Sequence, residues 1–153
     1  MTKKIPRFVL AFCLFILSAS AQEQILKKRD NTIPTPGGIK LLNGYVHTPG
    51  RGIDSTVGSI KKEGRLNIRY DIGVLAGEYV NHCRRDNTCV WYKEQQLNAG
   101  LVKIALQRNG IIVATFSRTM ANFYTEARTE EDVAEFLLMI LTFDETQCCQ
   151  NTF

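Results

Sequence analysis

The sequence predicts an α+β domain, an antiparallel sheet built from hairpins with a C-terminal helix packed on one face, and three observations lead there. Val102, Ile104 and Leu106 alternate with Lys103, Ala105 and Gln107 as far as Asn109-Gly110, a pair that supplies the positive φ angles of a tight turn; Ile112, Ala114 and Phe116 then resume the alternation. Leu66, Ile68 and Tyr70 share that period of two behind a second turn at Lys62-Glu63-Gly64, where Gly64 suits the left-handed backbone. Near the end the period changes, and Val133, Phe136, Leu137, Ile140 and Leu141 fall on one helical stripe.

The first twenty-one residues read as an export signal. Lys3, Lys4 and Arg7 precede an apolar run from Phe8 to Leu17, and Ala19-Ser20-Ala21 offers the small residues at which a signal peptidase cuts, leaving Gln22 first. The run is shorter than the roughly 20 residues of a bilayer-spanning helix. Cys13 would be the lipidated residue of a lipoprotein, but bulky Phe12 precedes it. Val133 to Phe143, the best later candidate for a span, is short and contains Glu135. The mature chain is therefore expected outside the cytosol, periplasmic or extracellular, and not membrane-spanning.

Residues 22–38 read as a flexible tether, polar and ending in Ile33-Pro34-Thr35-Pro36-Gly37-Gly38, which resists helix and sheet alike. Residues 39–153 then suit a single domain. Losing the three cations of the leader leaves about +1 of the formal +4. The remaining basic runs, Lys27-Lys28-Arg29, Lys61-Lys62 and Arg84-Arg85, lie among acids, so the chain lacks the basic face of a nucleic-acid binder.

Within the domain, Tyr45 to Thr48 forms a short strand. Pro49-Gly50-Arg51-Gly52 follows as a turn; it lacks the Gly-Lys-Ser or Gly-Lys-Thr continuation of a phosphate cradle. The hairpin from Ile53 to Ile72 comes next, and a third strand pair is expected over Glu78 to Lys93, around the polar loop Arg84-Arg85-Asp86-Asn87-Thr88. After the Leu101 to Arg118 hairpin, Asn122 to Ala127 adds a strand. Thr129 then reads as a helix N-cap, with Asp132 placed to reach back and Glu130 and Glu131 at the positive end of the helix dipole. The helix covers Glu130 to about Ile140, and Leu141-Thr142-Phe143 is expected to leave it as a last short strand.

Four cysteines remain beyond the leader, an even count that in an exported chain argues for bridges. A Cys83–Cys89 bridge closes a short loop and is worth roughly 2 kcal/mol in loop entropy. Neighbouring Cys148 and Cys149 bridge each other only with strain, because adjacent Cα atoms sit about 3.8 Å apart, below the roughly 4.4 Å of ordinary disulfides. Alternatives are a tail pair clamped onto Cys83 and Cys89, or thiols that gather with His82 around zinc. Neither Cys-x-x-Cys nor His-Glu-x-x-His is present, so Cys83–Cys89 without metal is the expectation.

Catalytic signatures are sparse. His47 and His82 are the sole histidines, and no serine sits in a Gly-x-Ser-x-Gly elbow. Asp54 and Asp71, placed on the two strands of the early hairpin, are the candidate carboxylates for shared-proton chemistry at the end of a cleft. An aspartate two residues before a glycine, as Asp71 is to Gly73, more often caps a turn.

Ile53-Asp54-Ser55, Val57-Gly58 and Tyr70-Asp71-Ile72-Gly73, followed by a closing helix, resemble small exported bacterial proteins of uncharacterised function and, more loosely, PsbP-like domains. The likeness spans Gly44 to Phe143. It implies helices packed on an antiparallel sheet and assigns no catalytic, cofactor or binding residue. The expected function is a binding or interaction module for a protein or small ligand, working without a cofactor and presenting Arg84 and Arg85 to an acidic partner. A small hydrolytic enzyme using Asp54 or Asp71 is the competing reading.

Overall fold

In the computed structural model, which describes residues 34–97 and 100–148, seven strands form one antiparallel sheet. They are β1 (Val46–Pro49), β2 (Thr56–Lys61), β3 (Asn67–Ile72), β4 (Cys89–Leu97), β5 (Gly100–Gln107), β6 (Ile111–Phe116) and β7 (Ala121–Glu126). Their spatial order is β1-β2-β3-β7-β6-β5-β4. Helices are few: α1 (Val80–Arg85), α2 (Glu130–Ile140), α3 (Glu145–Cys148), and 3-10 turns at Pro36–Gly38 and Val74–Ala76. All described residues belong to one compact unit. The export signal, and the tether as far as residue 33, lie outside the described residues. No described helix is long and apolar enough to cross a membrane.

The hairpins follow the turn chemistry. Gly64 takes φ 68° and Gly110 φ 82°, and the Ile111 amide donates to Asn109 Oδ1 at 3.1 Å, which closes the β5–β6 turn. Register then sorts the side chains by face. Ile60 pairs with Ile68, Tyr70 with Phe123, and Ile104 with Ala114, all toward one core that also takes Phe136, Met139 and Ile140 of α2. Phe143 joins them, its ring centroid 4.7 Å from Phe116 and 5.1 Å from Phe123. Gly58 is required at its place in β2, because a Cβ there would collide with the Tyr70 hydroxyl and the Thr48 carbonyl.

Helix α2 starts as expected: the Asp132 amide donates to Thr129 Oγ1 at 3.1 Å, and the Thr129 amide to Asp132 Oδ2 at 3.1 Å, a full capping box. Its far end differs from expectation. Residues 141–143 form no strand: the Leu141 amide still bonds the Leu137 carbonyl at 3.0 Å, the Thr142 hydroxyl bonds the Met139 carbonyl at 2.6 Å, and Phe143 turns into the core. Met139 is buried in the stripe, and Leu141 is left exposed.

Two other expectations are corrected. Residues 34–38, assigned to the tether, belong to the domain: Gly37 packs so closely on Phe143 that a Cβ would overlap the ring, and the Asp144 amide donates to the Gly37 carbonyl at 2.9 Å. The strand pair expected over Glu78 to Lys93 is instead α1 followed by β4. Val80 and Cys83, one helical turn apart, bury against Ala105 and Val113 on the second face of the sheet. The sheet also caps the helix start, since the Tyr79 amide donates to Asn122 Oδ1 at 3.0 Å and the Val80 amide to Thr115 Oγ1 at 3.4 Å.

Charge ties the β2–β3 turn to α2. Arg65 reaches Glu131 and Glu135 at 3.1 Å each, and Tyr45 donates to Glu135 Oε2 at 2.6 Å. The Tyr45 hydrogen bond, against the opposing effect of burial and with help from Arg65, holds the Glu135 carboxyl below the usual range. A carboxyl depressed in the folded state contributes its stability above the unfolded pKa of about 4.3 and loses it as pH falls through the folded value. Glu135→Gln is therefore expected to lower stability at neutral pH and to flatten its decline below about pH 4, read from urea midpoints across the acid range; an unchanged acid slope would refute this.

Candidate functional site

Strand alternation in β3 sends Ile68, Tyr70 and Ile72 into the core and Arg69 and Asp71 to the opposite face. Pairing brings Ser59 and Val57 beside them from β2, Tyr124 and Asn122 from β7, and Thr48 from β1. Helix α1 packs on β5 and β6 of this same face. The remainder carries concavities that converge on one residue. A cavity of about 350 Å³ is lined by Thr48, Ser59, Arg69, Asp71 and Tyr124. Another of about 290 Å³ lies against α1, between Tyr79, His82, Ile111 and Tyr124. A third, about 810 Å³ at the strand ends, takes in Arg69, Tyr124, Glu126 and Arg128. Tyr124 belongs to all three.

The groove floor is braced by a polar layer. Tyr79 donates to Asp71 Oδ2 at 2.7 Å, and burial, reinforced by Asp71, pushes its phenol up to about 12, so it stays a donor near neutral pH. The Tyr79 and Tyr124 rings lie 5.5 Å apart. Beneath them Asn122 donates to the Gly77 carbonyl at 2.8 Å and accepts from Thr115 at 2.8 Å. Lys103 grips both oxygens of Glu78 at 2.7 and 2.8 Å. Burial opposes ionisation of Glu78, yet the hydrogen bonds from Lys103, Ser117 and Asn81 prevail and hold its carboxyl below the ordinary range. The Gly77–Tyr79 segment is thereby fixed against the sheet.

No family model, curated protein or solved structure matches the chain. The site therefore rests on its own geometry.

Arg84 and Arg85 are exposed on α1, not on a hairpin loop. The Arg84 guanidinium sits 4.6 Å from the Tyr92 ring centroid and 3.9 Å from Glu94, which turns it toward β4. Arg85 lies 2.9 Å from His82 Nδ1 and so adjoins the groove. Asp54 and Asp71 are not brought together: Asp54 is exposed in the loop before β2, and Asp71 is held by Tyr79, its other oxygen buried without a hydrogen bond. His47 is spent on the core side, 2.8 Å from the Tyr70 hydroxyl. No cluster of three or more His, Cys, Asp or Glu able to hold a metal occurs among the described residues. Sequence reasoning missed Arg69 and Tyr124. The alternation in Leu66, Ile68 and Tyr70 already placed Arg69 off the core face, but nothing local paired it with Tyr124.

Cys83 and Cys89 form the expected bridge, Cα atoms 5.1 Å apart, which excludes a tail clamp onto either. The bridge joins α1 to the first residue of β4 rather than the two arms of a hairpin. Cys148 packs against the main core, and Cys149 lies outside the described residues. Replacing Cys83 and Cys89 together by serine is expected to cost about 2 kcal/mol, the loop-entropy value for so short a ring. Urea unfolding measures it, and an unchanged midpoint would show that α1 stays docked on packing and hydrogen bonds alone.

Proposed function

We propose that the domain is an exported binding module that lays an extended acidic ligand along the uncovered part of the second face. The convergence of three concavities on Tyr124 carries this reading. Arg69 lies in two of them and makes no ion pair or hydrogen bond through its side chain among the described residues, so its guanidinium is available for a carboxylate or other acid. Arg85, through His82, marks the α1 side, and Arg128 the strand-end side, where it also meets Glu126 at 3.2 Å. Tyr79 and Tyr124 supply an aromatic floor between these cations. Arg69 and Tyr124 stand on strands, His82 and Arg85 on the disulfide-tied helix, and Tyr79 is pinned to Asp71 just before it, which limits the ordering cost of binding. Export accords with the apolar leader and with a disulfide, which persists in oxidising compartments.

The hydrolase alternative requires Asp71 as a base, yet one of its oxygens is bonded to Tyr79 and the other is buried. Asp54 has no described partner to tune it. Substrate-panel assays address this reading directly, since pH-dependent turnover abolished by Asp71→Asn would establish it in place of binding.

The binding reading is tested by titrating isotope-labelled protein with a hexaglutamate peptide. Resonances of Arg69, Tyr124 and His82 are expected to move, and Arg69→Ala to weaken binding roughly tenfold, as loss of one charge-assisted contact does. Arg85→Ala should weaken it less and Arg84→Ala least. Perturbations confined to other surfaces, or an Arg69→Ala protein that binds like the parent, would remove the groove from consideration.

A further inference from the structure

We infer that the tip formed by Ile53, Val74 and Leu75 seats the domain on the surface of an anionic lipid bilayer. These three side chains are 104 %, 84 % and 74 % exposed. Single exposed aliphatics are ordinary on a protein surface; three together at one end of a sheet are not. They belong to one tip because Thr56 pairs with Ile72, so the loop before β2 abuts the loop after β3. A Cβ added at Gly73 would lie 3.2 Å from Ser55 Cβ.

The projection is built into the backbone. The Gly50 amide bonds the Val57 carbonyl at 2.8 Å and closes the first loop. In the second, the Ala76 amide bonds the Gly73 carbonyl at 3.0 Å, and the Gly73 amide bonds the Met120 carbonyl at 3.4 Å, which fastens it to the β6–β7 turn. Val74 and Leu75 are thus held outward by a 3-10 turn rather than folded onto the core.

Shape and charge select the occupant. None of the three side chains lines the concavities of the second face; they project, as side chains do that enter an acyl layer. The tip has no aromatic anchor of the kind that dominates protein interfaces. Arg51, two residues before Ile53, and Arg118, on the β6–β7 turn, are both exposed and have no ion pair among the described residues. Two such cations beside aliphatic tips place charge at headgroup level while the apolar ends enter below it. Asp54 is the lone acid on the first loop, and Glu145, which accepts from the Thr119 amide and hydroxyl on the β6–β7 turn, is buried, so cations are in excess among the exposed charges of these two loops.

The test is co-sedimentation of the full chain, purified as the cell produces it, with phosphatidylglycerol and with phosphatidylcholine vesicles. Binding is expected on the anionic vesicles and at least about tenfold more weakly on the neutral ones, falling as salt is added. Ile53→Ser with Leu75→Ser is expected to lower binding by tenfold or more, and Arg51→Glu with Arg118→Glu to lower it on anionic vesicles alone. All four residues are exposed, so circular dichroism of the variants should match the parent. Arg69→Ala should sediment like the parent, which separates this surface from the groove. Equal sedimentation of the serine variant, no sedimentation on anionic vesicles, or a self-associated parent that the serine variant converts to monomer would each overturn the proposal, the last by assigning the tip to a second copy of the chain.

Discussion

The antiparallel join between β3 and β7 is the constraint on which both faces depend. It is the ladder that unites the β1–β2–β3 strands with the β4–β7 strands in one sheet. Its register sets Tyr70 opposite Phe123 within the core, and Arg69 opposite Tyr124 and Asp71 opposite Asn122 on the other face. A slip of one residue would carry Arg69 and Asp71 inward and expose Ile68, Tyr70 and Ile72. Fully burying such an apolar side chain is worth about 1.5–3 kcal/mol, so core packing alone holds the register that also builds the groove.

The groove exists because α1 is short. Six residues at about 1.5 Å rise make a rod about 9 Å long and 10 Å across, whereas seven strands at about 4.8 Å spacing span almost 30 Å. A helix of that size covers two or three strands and leaves the rest bare. What anchors it to β5, β6 and β7 is partly apolar, through Val80 and Cys83, and partly polar, through Asn122, Thr115 and the Glu78–Lys103 pair. A nearly buried ion pair adds little net stability after desolvation. Here it fixes position, holding the chain between β3 and α1 where Tyr79 can reach Asp71.

The two surfaces differ in kind. Cations around tyrosines on a rigid floor suit recognition of an extended acidic chain, while aliphatic side chains on loop tips suit a partner that can flow around them. Both stand on hydrogen-bonded backbone, the β3–β7 ladder under the groove and the Gly50–Val57, Ala76–Gly73 and Gly73–Met120 bonds at the tip.

Much was legible in the residues alone. Asn109-Gly110 and the period of two around it specify the β5–β6 hairpin through contacts within a few residues, and Thr129 with Asp132 specifies the start of α2 in the same way. The Cys83–Cys89 bridge was the pairing that spacing favoured, and the fold decided it against the tail clamp. Helix α1 did not, because the acceptors that cap it, Asn122 and Thr115, stand 43 and 35 residues away in sequence. The docking of residues 34–38 on Phe143 and the meeting of Arg69 with Tyr124 were hidden for the same reason. Periodicity, turn chemistry and capping are short-range, so the chain itself determined the β2–β3 and β5–β6 hairpins, the long helix and the outward side of β3. Which strands became neighbours, and hence which side chains share the groove, was decided only when distant apolar faces packed into one core.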